Sequence, residues 1–310
     1  MRRGARDHRR MSLRAALVVA ALLGATGAGL PAHAGRAQTT VASARALEAA
    51  RVAFRRSGYG GSIDIFDTST GRRLVSYSTG LGAGSLLLST TKLLLAAVWL
   101  EDSPPGSTVS TAEISRLVSL GSDADGKALA ISLRRSTGSA AMLDGLRSFG
   151  FPRCGSRREV NCTTLTADTS DQEWAEAWSL GDTRFRASPT SLRLFLSACA
   201  NGGMVGQTRI VSAETARVLL YAMRQTVASG SANSIKDSLG ALGAIGGKTG
   251  TGPGPTVEPP TDGLFAGLIF DKSGRPRYSF MTWARRAGRG GGIAAQITAA
   301  TAAALLATAP

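Results

Sequence analysis

Strand-like segments occur only near the two ends of this chain, and helix-like segments fill the stretch between them. That order narrows the architectures open to it. Residues 62–66 and 73–77 read as strands around the turn Asp67-Thr68-Ser69-Thr70-Gly71, and 242–249, 264–270 and 278–283 read as strands near the other end. Between them, 89–100, 111–119, 127–134, 140–149, 189–200 and 212–227 carry helical spacing or helix start and stop residues. Residues 44–56 and 293–307 add a helix at either end. The expected protein is α/β, of the α+β type. An antiparallel sheet is assembled from the N- and C-terminal segments and covered by the terminal helices. A compact helical lobe, about 89–240, is inserted, and the site is expected between the lobes.

The chain has 310 residues, 43% of them hydrophobic and 18% charged, a globular composition. Its formal charge is +15. Six arginines against Asp7 in the first 34 residues account for part of that excess. Aromatics are only 5%, and no basic run is interleaved with them, so nucleic acid is not expected as a partner. The first 34 residues read as a signal peptide. A basic stretch to Arg14 is followed by an apolar stretch over 15–30, and Ala32-His33-Ala34 supplies a small-x-small cut after Ala34. The rest, 35–310, is expected as one secreted or periplasmic domain. No other segment reads as a membrane span. Export permits disulfides, and Cys154 and Cys162 are spaced to close a small loop, while Cys199 lies in an apolar helical pattern.

Both histidines, His8 and His33, fall within that signal. The mature chain therefore has no Ser-His-Asp triad, no Cys-His pair and no His-ligated metal; neither metal nor cofactor is expected. Acid–base chemistry falls to Lys, Asp, Glu, Tyr or Ser. Ser89-Thr90-Thr91-Lys92 opens a long apolar helical segment, and three positions on a helix put both side chains on one face. Lys92 is the only one of the five lysines with a serine three residues before it. A serine needs a base within reach, and a lysine serves only when neutral. Burial and a second cation would push it there. Lys248-Thr249-Gly250, followed by Thr251, sits on an expected strand. It offers that second cation and a set of donors for a carboxylate. Gly247-Lys248-Thr249 also mimics a phosphate-binding loop, but Leu242 stands where that loop needs glycine.

Ser-x-x-Lys, Ser-Asp-Asn and Lys-Thr-Gly, in this order, mark serine β-lactamases and penicillin-binding proteins. The chain resembles that family over residues 44–306. The resemblance includes the opening hairpin at 61–77, the helix ending in Ala200-Asn201-Gly202-Gly203, the segment 227–232 and the strand at 262–271. The middle motif has two candidates. Ser122-Asp123-Ala124 keeps two letters. Ser136-Thr137-Gly138 keeps one, but is followed by a stretch, 139–150, that resembles the family's next helix; on that ground Ser136 is preferred. Gly138 then stands where the family has asparagine, and the motif comes 47 positions after Ser89, early for the family.

The resemblance implies that Ser89 attacks the penultimate D-Ala carbonyl of a peptidoglycan stem peptide, or a β-lactam ring. It implies that Lys92 takes the proton and that Ser136 relays one to the leaving group. Lys248, Thr249, Gly250 and Thr251, with Gly138, bind substrate, and the backbone N–H groups of Ser89 and Thr251 form the oxyanion hole. The expected activity is that of a D,D-transpeptidase or carboxypeptidase, with β-lactams as inhibitors or substrates. One alternative is a β-lactamase; Glu173 and Glu176 lie in about the right region for its deacylating glutamate, without the Leu-Asn that should follow. The other is a binding module that performs no chemistry.

Overall fold

The computed structural model describes residues 33–80, 86–102, 110–155, 161–188, 190–242, 244–252 and 261–307. Almost all of the candidate signal peptide lies outside them; His33 and Ala34 are the first residues of α1 (His33–Ser57).

The main sheet has five antiparallel strands in the order β2-β1-β9-β8-β7. These are β1 (Gly61–Asp67), β2 (Arg73–Ser78), β7 (Ile245–Gly252), β8 (Asp262–Phe270) and β9 (Pro276–Ala284). The N-terminal hairpin joins the C-terminal meander through β1 against β9, with Ile65 opposite Phe280. All nine residues of β8 are buried, which explains a strand that reads as nearly continuous apolar sequence. Its alternate residues serve two cores. Leu264, Ala266, Leu268 and Phe270 pack toward the helical lobe, while Phe265 and Ile269 pack toward α1 and α9 (Ile293–Leu306).

Between β2 and β7 come α2 (Thr91–Asp102), α3 (Thr111–Ser119), α4 (Asp123–Thr137), α5 (Ser139–Ser148), α6 (Asp171–Leu180), α7 (Arg193–Ala200) and α8 (Ala213–Ala228). The two-residue strands β3 (Cys162–Thr163), β4 (Phe185–Arg186), β5 (Met204–Val205) and β6 (Thr208–Arg209) form two small ribbons. α2 is the central helix, buried from Thr91 to Val98. The others start where serine can cap. Ser110 and Ser170 form reciprocal boxes with Glu113 and Glu173, and Ser122 and Ser212 accept from the amides of Asp125 and Thr215. The segment ending in Ala200-Asn201-Gly202-Gly203 ties the lobes together. Asn201 Nδ2 donates to Ser197 O and, across to the β1–β2 turn, to Thr68 O, both at 2.9 Å. Cys154 and Cys162 are disulfide-bonded with Cα atoms 5.2 Å apart, and Cys199 is a free buried thiol whose pKa burial raises to about 12. Among the described residues no helix is long and apolar enough to cross a membrane.

Candidate active site

Ser89 lies in a 3-10 turn, Leu88–Thr90, that runs directly into α2. The turn is held from both sides. Thr90 Oγ1 donates to Leu87 O, and Thr91 Oγ1 donates to Leu88 O at 2.9 Å. Leu88 has φ 51°, a left-handed conformation that costs a non-glycine residue on the order of 1–3 kcal/mol. The end of α6 enforces it: Leu88 N donates to Gly181 O at 3.0 Å. Gly181 is required there, because a Cβ would stand 2.0 Å from Leu88 O. The strained residue thus immediately precedes the candidate nucleophile.

One turn on, Lys92 is fully buried. Its Nζ makes three hydrogen bonds: to Ser89 Oγ at 2.9 Å, to Asp123 Oδ1 at 2.6 Å and to Ser179 O at 2.7 Å. Asp123 is the first residue of α4, and Ser179 is near the end of α6. Ser179 Oγ donates to Asp123 O at 3.0 Å, which locks the two helices together over the lysine. Burial pulls the Lys92 pKa below the ordinary lysine value, Asp123 opposes that pull, and the nearby charge of Lys127 adds to it.

Lys248 faces this group from β7, the free edge of the sheet beside the helical lobe. Its Nζ donates to Thr249 O at 2.8 Å. Burial first, and then the Lys92 charge, bring its pKa down to about 7, with Asp123 acting the other way. Thr249 Oγ1 is hydrogen-bonded to Ser231 Oγ at 2.6 Å, and Thr251 Oγ1 accepts from Gly290 N at 3.2 Å. Gly250 packs on the nucleophile's turn, its missing Cβ 2.8 Å from Leu88 Cβ. The structure thus brings Ser89, Lys92 and the segment 248–251 together where β7 meets the helical lobe.

It places Ser136 and Gly138 at the other end of α4. Ser136 lies thirteen residues along α4 from Asp123, about 20 Å at 1.5 Å per residue. Its Oγ donates to Leu133 O at 3.3 Å, a bond within its own helix. Gly138 is the joint between α4 and α5, with φ 89° and open space where a Cβ would be. The sequence misleads here because a serine and a glycine at a helix junction look like a degenerate motif. The alternative, Ser122, caps α4: its Oγ accepts from Asp125 N at 3.2 Å. The position against Lys248 is Gly121, whose absent Cβ would lie 2.7 Å from Lys248 Nζ, so that position offers no hydroxyl.

Asp123, Ser179, Gly121 and Ser231 were not singled out by the sequence. Asp123 appeared there only as the middle letter of the less favoured candidate motif. Glu173 and Glu176 are engaged elsewhere. Glu173 bonds Arg184 and Ser170, and Glu176 accepts from Gln172. Among the described residues no group of His, Cys, Asp and Glu could hold a metal.

No protein-family model matches the chain, and no curated protein matches it at a significant level. Solved structures do. The transpeptidase domain of the FtsI4 D,D-transpeptidase from Legionella pneumophila matches at 20% identity and TM-score 0.64, over 84% of this chain and 94% of that one. Penicillin-binding protein A from Mycobacterium tuberculosis matches at 16% identity and TM-score 0.64, over 84% and 79%. The D,D-transpeptidase domain of a peptidoglycan glycosyltransferase from Eggerthella lenta matches at 21% and TM-score 0.61, over 85% and 80%. With the helix that follows Ser89 and the edge strand β7 arranged as described, this chain has the fold of the penicillin-binding protein transpeptidase domain.

Proposed function

We propose that the protein is a secreted, penicillin-binding serine acyltransferase that forms an acyl-enzyme on Ser89. Its substrate class is the D-Ala-D-Ala stem peptide of peptidoglycan, with water or an amine as acceptor. The observation that carries this reading is the 2.9 Å hydrogen bond between Lys92 Nζ and Ser89 Oγ at the mouth of a buried, two-lysine cleft. Lys92 removes the Ser89 proton as Oγ attacks the carbonyl carbon, and the ammonium so formed returns it to the leaving amine. Lys248 and the hydroxyls of Thr249 and Thr251 take the terminal carboxylate of the donor. β-Lactams, which carry a carboxylate beside a strained amide, are expected to enter as inhibitors.

Gly121 favours a second reading. With no side chain at this position beside Lys248 Nζ, it supplies no hydroxyl to pass a proton to the leaving group, as suits a module that binds donors and turns over slowly or not at all. One experiment separates these readings. Purified protein is incubated with a fluorescent penicillin and run on a denaturing gel, beside Ser89→Ala and Ser136→Ala. A stable adduct lost in Ser89→Ala and kept at the wild-type rate in Ser136→Ala supports the acyltransferase. Rapid turnover of the label points to a β-lactamase. Absence of adduct in the wild type leaves the binding module.

A further inference from the structure

The three partners of Lys92 Nζ suit two protonation states. As an ammonium it donates to Ser89 Oγ, Asp123 Oδ1 and Ser179 O. As a neutral amine it keeps two N–H groups, and the aspartate and the carbonyl, which have no hydrogen to give, must receive them. The lone pair is then left pointing at Ser89, ready to accept its proton. The same two bonds therefore aim the base and hold the acid. What tips the balance is that one partner is a full negative charge, 2.6 Å from Nζ, with the lysine side chain 0% exposed and the aspartate 57% exposed. Buried on the lysine side, that attraction is weakly screened and favours the charged amine. An amide in place of this carboxylate would aim the lysine without charging it.

We propose that Asp123 is a positioning residue with two opposed effects on Lys92. Its carboxylate directs the Nζ lone pair at Ser89 and also keeps the resting amine protonated, so the nucleophile is armed only after a proton leaves. The inference rests on the acyltransferase reading for its kinetic consequence, but not for the titration itself. In the armed state the steps balance. Solvent base removes one proton from the ammonium. Then the Oγ–C bond forms as the carbonyl π pair moves onto its oxygen, the Oγ–H bond breaks, and that proton goes to Lys92 Nζ.

The other charges facing Lys92 do not mimic this effect. Lys127 on α4 opposes the charge on Lys92. Lys248 on β7, with its pKa near 7, is itself mostly neutral above that pH and repels little there. From α6 only the Ser179 carbonyl reaches Nζ, since Glu173 and Glu176 bond elsewhere. On α3, Glu113 serves its own cap and Arg116 pairs with Asp125. Asp123 is the one anion bonded to Lys92 among the described residues.

The test measures the second-order rate of labelling by a fluorescent penicillin from about pH 6 to about pH 10, for the wild type, Asp123→Asn and Asp123→Ala. The wild-type rate should climb with pH to an inflection set by Lys92. Asp123→Asn keeps an acceptor and removes the charge, so its inflection moves down. One unit of movement makes it about tenfold faster at neutral pH with a similar alkaline plateau. Asp123→Ala should also move the inflection down, but with a lower plateau, because the lone pair is no longer aimed. An unmoved or raised inflection in both variants overturns the proposal, and so does a lower plateau alone, which a merely structural role would give. A readout independent of acylation accompanies this: the pH titration of the Lys92 ε-methylene by NMR, assigned with Lys92→Arg among the five lysines. If the wild type labels at no pH, the acyltransferase reading fails, while a downward shift of that titration in Asp123→Asn still upholds the hold of Asp123 on the Lys92 proton. An unmoved titration ends it.

Discussion

Lys248 shows how a site residue works against the fold that holds it. It is fully buried and has no carboxylate partner among its hydrogen bonds, and its pKa falls to about 7 from an unfolded value near 10.5. The unfolded chain therefore binds more protons than the folded one between those two values, and stability rises with pH across that window. Below about pH 7 the full penalty is present. Lys248→Met should accordingly raise Tm, on the order of 5 °C at neutral pH, with the gain fading as the pH approaches 10. Thermal melts of both proteins at several pH values check this; a gain independent of pH would show that Lys248 is not the buried group it is taken to be. The same variant should lose affinity for donors that carry a carboxylate, the stability-for-function exchange common at active sites.

Helix placement depends on close approach. α4 crosses the stem of Lys92 at Gly126, where an added Cβ would meet Ser179 Oγ at 2.7 Å and Lys92 Cε at 3.0 Å. Alanine there is favoured by helix propensity, by about 1 kcal/mol. It is opposed by those contacts, and the atoms that must give way are the Lys92 stem and the Ser179 hydroxyl that ties α6 to Asp123. Gly126→Ala is expected to leave Tm within a few degrees of wild type and to slow penicillin labelling at least tenfold. Labelling at the wild-type rate would mean that α4 shifts freely and does not position Lys92. The starts of α3, α4, α6 and α8 follow from serine caps that any local reading can see. The packing of α4 on α6 follows from a glycine and a serine 53 residues apart, which no local reading can.

The two ends of the chain close the molecule. β1 and β2 come from the start and β7, β8 and β9 from the end, and α1 and α9 pack together over one face of the sheet they build. The candidate site lies on the other face, so the terminal core supports β7 from behind. Ile297, on the buried side of α9, belongs to that core. Ile297→Ala is expected to cost about 2–4 kcal/mol and to lower Tm by several degrees. Ser89 should still label at the wild-type rate at room temperature. Loss of labelling well below the melting point would show that the terminal core also shapes the cleft.

Some of this protein is legible along the chain because the signal is local. Ser89 and Lys92 share one helical turn, so their spacing alone puts them together. Lys248, Thr249, Gly250 and Thr251 lie on one strand. The strand order from end to end implies a sheet with an inserted lobe. What surrounds Lys92 is not local. Asp123 is 31 residues away and Ser179 is 87, and Ser179 contributes a backbone carbonyl that every residue type possesses. Gly121 matters through an atom it lacks, beside a lysine on a strand far along the chain. Ser136-Thr137-Gly138 looked like chemistry because helix caps and catalytic motifs draw on the same residues: hydroxyls that bond to backbone, and glycines that turn it. Only the packing of α4 against α2 and α6 distinguishes them, since it brings the first turn of α4 to the base and leaves the last turn about 20 Å away.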